Sequence, residues 1–357
     1  MPSINRRQFI QYGSLALGTS LFGACSTNTP PASSPESASV SSPASPTSTT
    51  KLDKITFGTN WYAQAEHGGF YQAIATGIYQ DYGLDVTIRM GGPQVNGTQL
   101  LLGGAIDFFM GYGAEALKAI QQGIPKVTVA AIFQKDPQVL IAHPNVGNDK
   151  LEDLKGDPIF ISSQANVTYW PFLKAKYGFT DSQTRPYNFN PGPFLADKTS
   201  AQQGYLTSEP FAIEKEGGFK PVIFLLADYG YAPYSTTIET TRKMVETRSD
   251  VVQRFVDASI KGWYSYLSNP APGNKLIQKD NPKMSDEQIK YGIEKLKEYG
   301  IMISGEAETK GIGAMSEARW QALYTSLTQT KILKSDTKYQ EAFTLKYINK
   351  GVDAYKV

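Results

Sequence analysis

The chain has 357 residues, 41% hydrophobic and 19% charged, and 35 basic against 33 acidic side chains leave a formal net charge of +2. There is no basic patch or stripe of the kind a nucleic-acid-binding surface needs. A single cysteine, Cys25, and two histidines, His67 and His143, rule out a disulfide framework and a metal centre built from Cys and His.

The first residues read as an address. Arg6-Arg7 precede an apolar stretch over 14–24 that is rich in small residues. It is shorter than the ~20 residues a spanning helix needs and suits a signal-peptide core. The arginine pair resembles a twin-arginine export signal. Leu21-Phe22-Gly23-Ala24-Cys25 resembles a bacterial lipobox, which makes 1–25 a signal peptide and Cys25 the lipidated mature N-terminus. Residues 26–53 are mostly Ser, Pro, Thr and Ala and cannot bury enough surface to offset ordering entropy, so they read as a disordered tether. The expected location is the periplasmic or extracellular face of the bacterial cytoplasmic membrane, with the chain held there by lipid.

The body alternates strand and helix. Ile55 opens a strand over 55–59, and 68–78 reads as a helix with Phe70, Ile74 and Ile78 at fourfold spacing. A strand over 85–90, a helix over 96–103, a strand over 106–110, a helix over 114–122 and a β-rich run over 127–133 follow. The pattern restarts after His143-Pro144, with strands over 158–162, 186–189, 203–206 and 221–226 and helices over 168–177 and 194–200. Three long helical stretches, 242–267, 285–298 and 317–328, close the chain. Short links between strands and helices imply two mainly parallel α/β units. Extended segments over 138–144 and 234–240 are the expected crossings between them. The expectation is a bilobed α/β fold, with lobe 1 over 54–141 plus 240–357 and lobe 2 over 145–235. A hinge of two strands would leave a cleft between the lobes.

Particular runs carry a resemblance. They are Trp61 to Ala73, then Gly77-Ile78-Tyr79, Tyr82-Gly83-Leu84-Asp85-Val86, Gly104 to Phe108, and Gln203 to Pro210. Together they resemble the periplasmic solute-binding proteins for nitrate, sulfonate and taurine and for thiamine pyrimidine precursors, the NMT1/THI5-like and SsuA/THI5 group. The resemblance spans 54–357. It implies a type II periplasmic-binding-protein fold, a ligand held between two closing lobes, and a closed surface read by the permease and ATPase subunits of an ABC importer. The group also includes a thiamine pyrimidine synthase with a cysteine-rich motif. This chain has no cysteine after Cys25, so a non-enzymatic binder without cofactor or metal is expected.

Candidate ligand contacts lie where strands end. Trp61, Tyr62, His67 and Gly68 follow the first strand and offer aromatic faces, a hydrogen bond and helix N-terminal amides. Gly111 and Tyr112, with Glu115 nearby, follow the third. Ser162, Ser163 and Gln164 follow the first strand of the second unit and are also ordinary helix-capping residues. Tyr169 and Trp170 suit either core or cleft. Glu209 ends the strand over 203–206 and can accept hydrogen bonds from an aminopyrimidine-like edge. An aromatic, His- and Glu-bearing set favours a neutral or weakly cationic heteroaromatic of the thiamine-pyrimidine-precursor type. A sulfonate, taurine or nitrate would want cations at the strand ends, for which Arg89 and Arg185 are the candidates.

Overall fold

A computed structural model describes residues 51–355. The expected signal peptide, Cys25 and nearly all of the expected tether lie outside the described residues. The tether was drawn slightly too long, because Asp53 already belongs to a strand. Its carboxylate pairs with Arg248 at 2.7 Å and Arg254 at 2.6 Å.

Ten strands are described. In chain order they are β1 (Asp53–Gly58), β2 (Leu84–Arg89), β3 (Phe108–Gly111), β4 (Lys126–Phe133), β5 (Gln138–Ala142), β6 (Ile159–Ile161), β7 (Thr184–Pro186), β8 (Ala201–Tyr205), β9 (Val222–Leu225) and β10 (Ser235–Thr241). They form two five-stranded sheets, ordered β2-β1-β3-β10-β4 and β7-β6-β8-β5-β9. In the first, β10 runs antiparallel to both neighbours; in the second, β5 does. The other pairs are parallel. Every residue of β4 and β5 is buried, which explains their near-continuous runs of apolar side chains.

The expected crossings were displaced. Residues 138–142 are not a link but an interior strand of the second sheet, and 235–241 are an interior strand of the first. The chain passes between sheets at 134–137 and again over 226–234. Residues 138–141, expected in lobe 1, therefore pair with lobe 2 strands.

Helices differ from expectation at their ends. The helix expected over 68–78 stops at Ala75, because Gly77 takes φ 77° and starts a separate turn, Ile78–Asp81. The long stretch over 242–267 divides at Arg248 into Arg242–Thr247 and Ser249–Ser268. A helix over Ala271–Asp280 was missed. Pro270, Pro272 and Gly273 look like a turn, yet a proline in a first helical turn gives up only an N–H that has no partner there.

The C-terminal helices pack in the same core as the first sheet. Phe255 lies flat against Phe108, centroids 4.1 Å apart at 11°, and against Tyr79 at 5.4 Å and 10°. Gly68 and Gly69 open the helix that follows β1, and their bareness lets the Ser249–Ser268 helix come close. A Cβ on Gly68 would fall 2.1 Å from the Tyr266 ring, and one on Gly69 would fall 2.2 Å from Trp263. This contact fixes the loop between β1 and that helix, and the loop forms one wall of the cleft.

Candidate interlobe site

A cavity of about 540 Å³, its mouth included, lies between the sheets. The first lobe contributes Asn60, Trp61, Gln64, Glu66, His67 and Tyr112 to its lining. The other side includes Ser162, Thr168, Tyr169, Gln203, Tyr205 and Glu209, and Gln138 comes from β5 beside the hinge. Among the described residues, no Arg or Lys borders it.

Five of the nine expected contacts lie on this wall: Trp61, His67, Tyr112, Ser162 and Glu209. The other four sit elsewhere. The Tyr62 ring meets Phe189 at 5.4 Å and shields Gly92. Gly68 is used for packing against Tyr266, and Gly111 for packing against the Glu239 carboxylate. Ser163 donates to the Pro93 carbonyl at 2.8 Å and borders a second, outer cavity instead. Gln164 lines both cavities. Arg89 and Arg185 are exposed, and Arg185 donates to the Ser182 and Thr184 carbonyls.

Several lining groups already have partners. Glu209 opens the helix Glu209–Gly217, accepts from the Tyr187 hydroxyl at 3.1 Å and accepts from the Tyr205 N–H at 2.8 Å. Burial pushes its pKa up to about 7 against the pull of the Tyr205 N–H, and the charge of Glu66 adds to the rise. Gln203 accepts from the Ser162 N–H at 2.6 Å and the Tyr169 hydroxyl at 3.0 Å. His67 Nδ1 accepts from the Gln64 N–H at 3.3 Å. Burial lowers the His67 pKa to about 3, so the ring is neutral at physiological pH. His67 therefore ties its own loop together while also facing the cavity.

Glu66 has no such complement of partners. It is 2% exposed, and the Thr207 hydroxyl donates to its Oε1. Among the described residues its Oε2 is buried without a partner, as is Nε2 of Gln64. Burial raises the Glu66 pKa. Sequence reasoning passed over Glu66, Gln64, Gln203, Tyr187 and Tyr205. Glu66 lies inside the motif that was singled out, but a lone glutamate gives no sign that it is buried.

The lobes are in contact across the cleft. Tyr205 donates to Tyr112 between hydroxyls at 2.7 Å, and Gln164 donates to Glu115 at 2.6 Å. Trp61 lies parallel to Tyr187, at 6.2 Å and 12°. Lys215 pairs with Glu287 at 2.7 Å on the outside. At the hinge, Asp136 is buried and accepts from the Gln138 N–H at 3.0 Å, and burial raises its pKa to about 7.

Two sheets with this strand order, facing each other across a lined cleft, are the architecture of the bilobed periplasmic binding proteins. The alkanesulfonate-binding protein SsuA of Xanthomonas axonopodis pv. citri shares it, with a TM-score of 0.59 and 14% identity over 82% of this chain and 99% of that one. The chain belongs to the NMT1/THI5 like family, whose description matches residues 64–272. Its relatives include the riboflavin-binding protein RibY of Chloroflexus aurantiacus, 23% identical over 93% of this chain and 95% of that protein. A formylaminopyrimidine-binding protein of Halalkalibacterium halodurans is 24% identical over 61% of this chain and 68% of that protein. Among the described residues, no helix is long and apolar enough to cross a membrane.

Proposed function

We propose that this chain is the extracytoplasmic solute-binding component of an ABC importer, and that it closes around an uncharged heteroaromatic solute without transforming it. The observation that carries this reading is the lining of the interlobe cavity: aromatic rings, amides and two buried carboxyl groups, with no Arg or Lys among the described residues. An alkanesulfonate or nitrate buried there would have no positive charge to offset its desolvation and would face Glu66 and Glu209. A planar heterocycle is suited to the aromatic side chains of the lining, Trp61, Tyr112, Tyr169 and Tyr205, and its ring nitrogens and substituents to the amides and carboxyls.

The thiamine-pyrimidine-precursor type remains the first choice within that class. A flavin is the second, because the similarity to the riboflavin-binding relative runs along nearly the whole chain. An N-terminal lipid on Cys25 would hold the receptor beside its permease and ATPase partners. On this reading Trp61, His67, Tyr112, Ser162 and Glu209 border the ligand directly, while Tyr62, Gly68, Gly111 and Ser163 support the wall or the closure.

A thermal-shift screen of the purified chain tests the proposal, with 4-amino-5-hydroxymethyl-2-methylpyrimidine, riboflavin, taurine and nitrate as probes. A rise in melting temperature with one of the heteroaromatics, and none with taurine or nitrate, is expected. Stabilisation by taurine or nitrate alone would overturn the reading.

A further inference from the structure

The two carboxyl groups of the cavity are in different situations. Glu209 has both oxygens engaged by the protein itself. Glu66 has one oxygen engaged by Thr207 and one buried without a partner, and Gln64, two residues earlier on the same loop, has its Nε2 buried without a partner. Both side chains are at least nine-tenths buried, with relative exposures of 2% for Glu66 and 3% for Gln64, and both line the cavity. Leaving such groups unpaired is costly, and buried polar atoms in folded proteins almost always have a partner. When a protein leaves an acceptor and a donor unpaired on one stretch of cavity wall, the missing partner is most simply a ligand.

We propose that Glu66 Oε2 and Gln64 Nε2 are the specificity-determining pair of the cleft, and that they read a ligand edge carrying both an N–H donor and a carbonyl or ring-nitrogen acceptor. This rests on the heteroaromatic reading above and deepens it. The solute class is narrowed to heterocycles with a lactam or amino–imino edge, and heterocycles whose edge only accepts are turned away. Glu209, the carboxylate expected from the sequence to make this contact, instead holds Tyr187 and the end of β8 in place. Thr207 belongs to the other lobe and bonds to Glu66, so the recognising group is gripped when the cleft is shut.

The pair makes a demand a purely structural role would not make, because loss of affinity must depend on the ligand's edge. The experiment titrates wild type, Glu66→Gln and Gln64→Leu with riboflavin and with 3-methylriboflavin, in which the lactam N–H is blocked. The same is done with the aminopyrimidine probe and its 4-dimethylamino analogue. Whichever parent compound binds wild type is expected to lose about 10- to 100-fold in affinity for each variant, as a hydrogen bond to a charged or strongly polar group implies. The methylated analogue is expected to bind wild type and Glu66→Gln equally weakly. Melting curves of the apo variants check folding, and Glu287→Gln, at an exposed ion pair outside the cavity, provides a second folded variant with only a minor loss expected. Equal affinity of wild type and both variants for the parent compound would overturn the assignment while leaving the functional reading intact. A wild type that binds neither parent compound would defeat that reading, and this inference with it.

Discussion

The two walls of the cleft differ in how completely they are satisfied. On the second lobe's side, Glu209, Gln203, Tyr169 and Tyr187 bond to one another or to the backbone, and among the described residues none of their polar atoms is buried without a partner. On the first lobe's wall, the loop from Asn60 to His67 is stapled from behind by Gly68, Gly69 and His67 but leaves polar atoms unmet at its face. One wall is built to hold its shape, and the other is held in shape so that it can bind. A buried carboxylate on each wall therefore serves opposite ends, and the difference lies in hydrogen-bond partners rather than in residue type.

That contrast can be broken by experiment. The largest effect is expected at Glu209. Glu209→Ala strands the Tyr187 hydroxyl and the Tyr205 N–H, at about 1–3 kcal/mol for each unsatisfied group. A loss of stability of about 3 kcal/mol or more is expected in urea denaturation, against less than about 1 kcal/mol for Glu66→Gln, which keeps the Thr207 bond. Equal losses would erase the distinction between the walls.

The next effect concerns pH. Burial raises Glu209 from its ordinary 4.5 to about 7. The folded chain then holds a proton that the unfolded chain has released over this interval. The stability so gained is complete below about pH 4.5 and is lost as pH rises through 7, in total on the order of 3 kcal/mol. Melting temperature is expected to fall between pH 5 and 7.5, and to fall less steeply in Glu209→Gln. Asp136, raised to about 7 by burial, and Glu239, raised by burial against the pull of Lys126, keep part of the slope in that variant. A variant slope as steep as that of wild type would contradict the assignment.

A smaller loss is expected behind the binding wall. Gly69→Ala drives a methyl group into Trp263, and overpacking of that kind costs about 1–3 kcal/mol. Because the helix behind the loop shifts, affinity should fall together with the melting temperature, whereas Glu66→Gln should lower affinity alone. The smallest effect belongs to Glu287→Gln. It removes an exposed interlobe ion pair with Lys215, and such pairs are screened by solvent and contribute little. Titration calorimetry is expected to show an affinity change of less than about fivefold, smaller still at high salt.

The alternation of strands and helices was legible in the sequence because the 2.0 and 3.6 periods are local. The aromatic loop after β1 and the strand-end position of Glu209 were legible for the same reason. What sequence could not reveal was which strand pairs with which. Gln138–Ala142 and Ser235–Thr241 are β-rich runs whose pattern is the same whether they cross between sheets or lie inside one. Gly68 was taken for a ligand contact because it stands where a helix N-terminal amide would face the cleft. The Gly68-Gly69 doublet at a helix start was the available sign of close helix packing, and the residues it meets, Tyr266 and Trp263, lie almost 200 positions away. Glu66 escaped notice because burial and missing partners are properties of the assembled cleft.

Native mass spectrometry of the intact chain, offered equal concentrations of riboflavin, the aminopyrimidine, taurine and nitrate, tests the central claim most directly. The account predicts one adduct per chain, with the unaltered mass of a heteroaromatic. A taurine or nitrate adduct alone, or release of a chemically changed heteroaromatic, would contradict it.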